Sequence, residues 1–161
     1  MKVLVAARKN TDAASNGVNG APAVDDERVP FADVLVKSTV LVLSLPRNPQ
    51  TLNLISAAEL ATMSPYAVLI NIARGGIVNE AAVVQALKDG QIAGYATDVF
   101  EKEPAEGPED SPLLSEEAKE LNITLSPHLA WFAQRTMKNL GQILKDTVEA
   151  WVEGKELNVI V

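Results

Sequence analysis

Ala67-Val68-Leu69-Ile70-Asn71-Ile72-Ala73-Arg74-Gly75-Gly76-Ile77-Val78-Asn79-Glu80 is the stretch on which the fold turns. Ala67 to Ile72 is a short, nearly continuous apolar run and reads as a buried strand. Gly75-Gly76 breaks it. Asn79 then caps a helix through Leu87, with Val83, Val84 and Leu87 on one face and Gly90 at its end. A strand apolar along its length and followed at once by a capped helix fits a parallel sheet, whose strands are covered on both faces.

The same pattern extends in both directions. Val3–Ala7, Thr39–Leu45 (stopped by Pro46), Ile92–Thr97 and Asn122–Ser126 are further strand candidates, which brings the expected number to five. Helices are expected over Phe31–Lys37, from the capping box Ser56-Ala57-Ala58-Glu59 to Met63, and from Trp131 to Glu153. In the last of these, Leu140, Ile143, Leu144, Thr147, Val148, Trp151 and Val152 share one face, and Gly154 stops it. Lys9 to Pro30 is rich in Asn, Gly, Asp and Pro and reads as a long loop. Glu101 to Glu120 reads as an exposed acidic loop with one helical turn, and Trp131 and Trp151 are expected in the core or an interface. The fold class is therefore α/β: a partial Rossmann-type, doubly wound parallel sheet of about five strands, in one domain over residues 1–161.

Composition narrows the function. The net charge of −7 argues against a general nucleic-acid binder, which needs a basic face. Cysteine is absent and His128 is the only histidine, so disulfides, thiolate-held metals and multi-histidine metal sites are excluded. No apolar run approaches the ~18 residues of a membrane span, and Arg8-Lys9 closes the N-terminal run too early for a signal peptide. A cytoplasmic protein is the default expectation.

Open α/β sheets bind ligands beyond the carboxyl ends of their strands. The expected strands are followed in turn by Arg8-Lys9, by Pro46-Arg47-Asn48, by Arg74-Gly75-Gly76, by Asp98 and Glu103, and by Pro127-His128. A lone arginine after a strand is ordinarily a solvated surface group, and a lone histidine in a Pro-His turn is ordinarily structural. Joint placement at one sheet edge lifts Arg74, Glu103 and His128 above those readings. Arg74 offers a rigid fork of donors suited to a carboxylate. His128 can give or take a proton near neutral pH, and a nearby carboxylate, Glu103 or Asp98, would orient the ring and favour its charged form. An arginine for an α-carboxylate plus a histidine–carboxylate pair for a hydroxyl proton fits hydride transfer on a small 2-oxo or 2-hydroxy acid, with the hydride supplied by a nicotinamide.

Four segments then match a family. Asn71 to Glu80, entered from the strand at Leu69-Ile70, resembles the signature N-x-[AS]-R-G-x-x-[VI]-[ND]-[EQ] of the D-isomer-specific 2-hydroxyacid dehydrogenases. Asp98-Val99-Phe100-Glu101-Lys102-Glu103-Pro104 is similar to that family's D-V-F-x-x-E-P, and Ser126-Pro127-His128-Leu129-Ala130 to its [ST]-P-H-[IL]-[GA]. Ser44-Leu45-Pro46 with Thr51 is similar to its adenosine-side turn. The resemblance implies that Arg74 binds the substrate carboxylate, that His128 is the acid in reduction and the base in oxidation, and that Glu103 tunes it. It implies that Asp98 contacts the nicotinamide carboxamide and that Leu45, Pro46, Thr51, Ile72, Ala73, Arg74, His128 and Ala130 lie along the dinucleotide. Members that use NAD end the preceding strand on a carboxylate that takes the ribose hydroxyl. Here Ala7 stands there, followed by Arg8-Lys9, a pattern resembling NADP-using glyoxylate and hydroxypyruvate reductases, so NADP is expected over NAD.

The family's G-x-G-x-x-G turn does not occur in the sequence; Gly17-Val18-Asn19-Gly20 is not one. By resemblance the first βα unit and the substrate domain are missing, and the chain alone is expected to have little activity. Three function classes remain at this level: a dehydrogenase that could pair as a homodimer, a non-catalytic nucleotide-binding or co-repressor-like module, and an inactive fragment. The intact Arg74, Glu103 and His128 set favours the first.

Overall fold

The computed structural model describes residues 2–9 and 28–159. The chain forms two compact units, Met1–Pro127 and His128–Val161. The first carries helix α1 (Phe31–Lys37), strand β1 (Val40–Leu43), α2 (Ala57–Leu60), β2 (Val68–Asn71), α3 (Glu80–Lys88), β3 (Gly94–Thr97) and β4 (Ile123–Leu125). The second carries α4 (Gln134–Val152).

The four strands form one parallel sheet in the order β1-β2-β3-β4. Leu43, Asn71 and Thr97 lie across from one another in register, so the strands end along one line. Leu41, Leu43, Leu69 and Tyr95 face a core completed by Val34 and Leu35 of α1, Leu60 of α2 and Val83 and Val84 of α3. The other side of β1 is less covered, with Val40 and Val42 half-exposed. The Rossmann-type α/β class expected from the sequence is the one adopted. Glycine-free apolar runs form β1 and β2, and Asn79 caps α3 by accepting from the Ala82 amide.

Three expectations need correction. Val3–Ala7 is not a strand of the sheet. It makes a single parallel bridge, Ala6 to Val29, held by Ala7 N–Val29 O and Val29 N–Val5 O bonds of 2.8 and 2.9 Å. An apolar run becomes a sheet strand only where a ladder partner runs beside it, and the described residues give it one short partner, so the sheet has four strands rather than five. The acidic segment 101–120 is not simply a solvated loop: Pro112–Leu114 and Glu117–Glu120 form 3-10 turns, and Ser111, Leu113 and Ala118 are buried. Sparse apolar anchors suffice to pin such a segment against α3. Of the two places expected for Trp131 and Trp151, the core is ruled out, since they are 46% and 78% exposed and α4 has no buried residue. The long loop expected between Lys9 and Pro30 lies mostly outside the described residues, as does the very end of the C-terminal tail.

The second unit is an amphipathic helix with its ends tied. Gly154, at φ 70°, ends α4, and the Lys155 amide donates back to the Ala150 carbonyl. Asn158 then donates to the Thr147 hydroxyl at 2.8 Å, folding the tail along the helix.

Candidate functional site

The turn after β2 is shaped by one buried polar side chain. Asn71 is only 1% exposed. Its Nδ2 donates to the Arg74 carbonyl at 3.0 Å and its Oδ1 accepts from the Ala73 amide at 3.1 Å. This clamp bends the chain as it leaves the sheet and turns Arg74 out to solvent, where Nη1 donates to the Ala73 carbonyl. Ile72 stands half-exposed beside buried Ala73, an apolar step at the strand end.

The two glycines that follow do different jobs. Gly76 has φ 77°, which a side chain disfavours, and its face lies against the Arg47 guanidinium. Gly75 needs space instead: a Cβ there would stand 1.7 Å from the Phe100 carbonyl oxygen. The turn carrying Arg74 is thus laid backbone to backbone on the segment that carries Asp98 and Glu103.

That segment is itself fixed. Thr97 donates to the Val99 carbonyl at 2.7 Å, and the Asp98 amide donates to the Asn71 carbonyl. Asp98 is 4% exposed and its Oδ1 accepts from the Ser126 hydroxyl. Glu103 is exposed and its Oε1 accepts from the Phe100 amide at 2.8 Å. Beneath them Tyr95 is buried; burial, opposed by hydrogen bonding with Thr97 and Asn71, pushes its hydroxyl up to about 12, so it stays neutral.

Glu80, at the first position of α3, is the hidden brace. One carboxylate oxygen accepts from the Glu101 amide at 2.7 Å and the other from the Ser111 hydroxyl at 2.5 Å. With Glu80 only 5% exposed and Ser111 fully buried, Glu80→Ala strands the Ser111 hydroxyl away from water and frees the Glu101 amide. The expected cost is about 3 kcal/mol, a fall of roughly 10 °C in the thermal midpoint. A melt within about 2 °C of the parent would show that the brace is dispensable.

On the β1 side, Thr51 closes the turn after Pro46. Its hydroxyl donates to the Pro46 carbonyl at 2.8 Å and accepts from the Asn48 amide. Leu45 is half-buried and Pro46 exposed. Arg8 and Lys9 follow the Ala6–Val29 bridge, both exposed at residue level, and Lys9 is ion-paired to Glu59 at 2.7 Å. In the second unit His128 adopts φ 55°, and its carbonyl accepts from Trp131 Nε1 at 2.7 Å. Ala130 lies two residues on, in the turn before α4.

The structure therefore gathers Arg74, Asp98 and Glu103 on touching loops of the first unit, with Leu45, Pro46, Thr51, Ile72 and Ala73 along the same line of strand ends. Asn71, Glu80 and the close approach at Gly75 escaped the sequence reading. Only a polar residue closing an apolar strand hinted at the first. Among the described residues no group of three or more histidine, aspartate or glutamate side chains is placed to hold a metal. No helix among them is long and apolar enough to cross a membrane.

Residues 1–130 match the D-isomer specific 2-hydroxyacid dehydrogenase NAD binding domain. The chain belongs to that family. A glycerate dehydrogenase of Methylorubrum extorquens is 44% identical over 135 residues, covering 84% of this chain and 42% of that protein. A glyoxylate reductase of Korarchaeum cryptofilum is 35% identical, covering 80% and 37%. Among solved structures, an NADPH-dependent glyoxylate/hydroxypyruvate reductase of Sinorhizobium meliloti in complex with NADP and malonate superposes with a TM-score of 0.71 at 30% identity, covering 89% of this chain and 43% of that one. The NAD-complexed D-isomer specific 2-hydroxyacid dehydrogenase of Lactobacillus delbrueckii matches equally well, at 0.71 and 30%, covering 83% and 43%. The chain spans less than half the length of these family members.

Proposed function

We propose that this chain supplies the cofactor-facing and acid–base half of an NAD(P)-dependent D-2-hydroxyacid dehydrogenase acting on a small 2-oxo or 2-hydroxy acid such as glyoxylate, hydroxypyruvate or glycerate. The observation that carries this reading is the Gly75–Phe100 contact, which seats the Arg74 turn directly on the Asp98–Glu103 segment. The residues present suit a dinucleotide: the exposed apolar face of Ile72 can meet a flat ring, and the Asp98 carboxylate, held by the Ser126 hydroxyl at the strand ends, is of the acceptor type that a carboxamide N–H needs. When bound, the nicotinamide supplies or accepts the hydride.

The chain's own residues do the rest. Arg74 takes the substrate carboxylate in a two-pronged contact and so sets which carbon faces the ring. His128 gives a proton to the carbonyl oxygen in reduction and removes it from the hydroxyl in oxidation. Glu103, in the segment similar to D-V-F-x-x-E-P, is the carboxylate we pair with the charged imidazole. For the nucleotide we favour NADP over NAD: Ala7 presents no carboxylate to a ribose 2′-phosphate, and Arg8 offers a permanent cation beside it.

The test is consumption of NADPH with glyoxylate and with hydroxypyruvate, run beside nucleotide titrations on the same protein. Tighter binding of NADPH than of NADH, with turnover of at least one 2-oxo acid at a low rate, is the expected result. Nucleotide binding with no turnover of any 2-oxo acid would indicate a non-catalytic binding module instead. Tighter NADH binding would reverse the cofactor assignment.

A further inference from the structure

A cavity of about 360 Å³ opens between α1 and α2 in the first unit. Phe31 and Leu35 give it apolar walls, and Arg8, Lys9, Glu59 and Thr62 also line it. Arg8 and Lys9 are the pair that the cofactor reading points at a 2′-phosphate. Lys9 Nζ sits 2.7 Å from Glu59 Oε1 and also donates to the Leu54 carbonyl at 3.4 Å. The Glu59 side chain is only 12% exposed, against 35% for Lys9.

The carboxylate is anchored independently of the lysine. Its second oxygen accepts from the Ser56 amide at 3.0 Å, half of a capping box at the start of α2. Burial works to raise its pKa, but the Lys9 bond and the Ser56 amide outweigh it and hold the group below the usual 4.5. It is therefore charged at neutral pH. A phosphate arriving at this rim meets one cation already engaged and a fixed negative charge beside it.

We infer that Glu59 is a specificity-determining residue for the nucleotide: by holding Lys9 in an ion pair at the cavity rim, it withholds a cation from a ribose 2′-phosphate and narrows the preference for NADP over NAD. This inference rests on the proposed dinucleotide site. It places a control on cofactor choice on Glu59, 50 residues along the chain from Lys9.

The test compares adenosine 2′,5′-bisphosphate with 5′-AMP, which differ only in the group at issue. Glu59→Gln removes the charge yet keeps an oxygen for the Ser56 amide, so α2 keeps its cap and the thermal midpoint stays near that of the parent. E59Q is expected to tighten the bisphosphate about fivefold relative to AMP, and the gain should shrink as salt is raised. Lys9→Met alone leaves the Glu59 carboxylate unpaired at the rim and should weaken the bisphosphate relative to AMP. In the double variant the gain should vanish. An unchanged ratio in E59Q, or a gain that survives in the double variant, would each overturn the inference while leaving the dinucleotide reading intact. Failure of the parent chain to bind either nucleotide would overturn that reading and the inference with it.

Discussion

Gly75→Ala is expected to lower the turnover of 2-oxo acids by about 100-fold or more. The added methyl carbon would fall 1.7 Å from the Phe100 carbonyl oxygen and 2.1 Å from its carbon. Both are backbone atoms, so no side-chain rotation relieves the clash. The two segments must part by more than an ångström to restore contact distance. One carries Arg74 and the other Asp98 and Glu103, which the proposed function puts around one reacting centre, and a displacement of about 1 Å between such groups costs on the order of 100-fold. Gly76→Ala is the instructive neighbour. It carries the penalty of φ 77°, about 1 kcal/mol, but its methyl meets only the Arg47 guanidinium at 3.3 Å, the far end of a flexible side chain. It should therefore lower the thermal midpoint with a much smaller loss of kcat/KM. Steady-state kinetics with saturating nucleotide, beside thermal melts, would check both. Parent-like turnover in G75A would remove the contact from any account of the site.

The pair also shows where sequence reading reaches and where it stops. Gly75-Gly76 is legible as the end of a strand, but not that one glycine is there for its φ and the other for the space it leaves, because the second reason depends on Phe100, a residue on another strand's loop. The strands themselves were legible as apolar runs: β1 and β2 fall within the expected segments and are trimmed only at their ends, although β1 leaves Val40 and Val42 half-exposed. Val3–Ala7 shows the limit of that signal, since an apolar run says nothing about whether a ladder partner lies beside it. Composition misled in the acidic segment for a related reason. Leu113 and Ala118 are few among many charges, yet they decide where the segment lies. Lys9 and Glu59 could not be matched from sequence at all: each looks like an ordinary surface charge until folding brings them to 2.7 Å.

Arg74→Met should be the most damaging exchange for catalysis with the least effect on the fold. The Arg74 side chain is exposed and donates to the carbonyl of its own neighbour, Ala73, so stability has little to lose; the expected change is within about 0.5 kcal/mol. The turn that presents it is held by Asn71, not by Arg74 itself, so the backbone stays in place when the guanidinium is removed. What disappears is the proposed two-pronged contact with the substrate carboxylate. Two charge-assisted bonds at about 2 kcal/mol each amount to roughly 1000-fold in kcat/KM. Arg74→Lys should recover only part of this, because an ammonium keeps the charge but not the planar fork. Affinity for 5′-AMP should be unchanged in both variants, since that ligand carries no substrate carboxylate. If R74M kept parent-like kcat/KM on glyoxylate and hydroxypyruvate, carboxylate recognition would have to be reassigned. If instead the thermal midpoint fell with activity, Arg74 would be a structural residue, and the loss could not be charged to substrate binding.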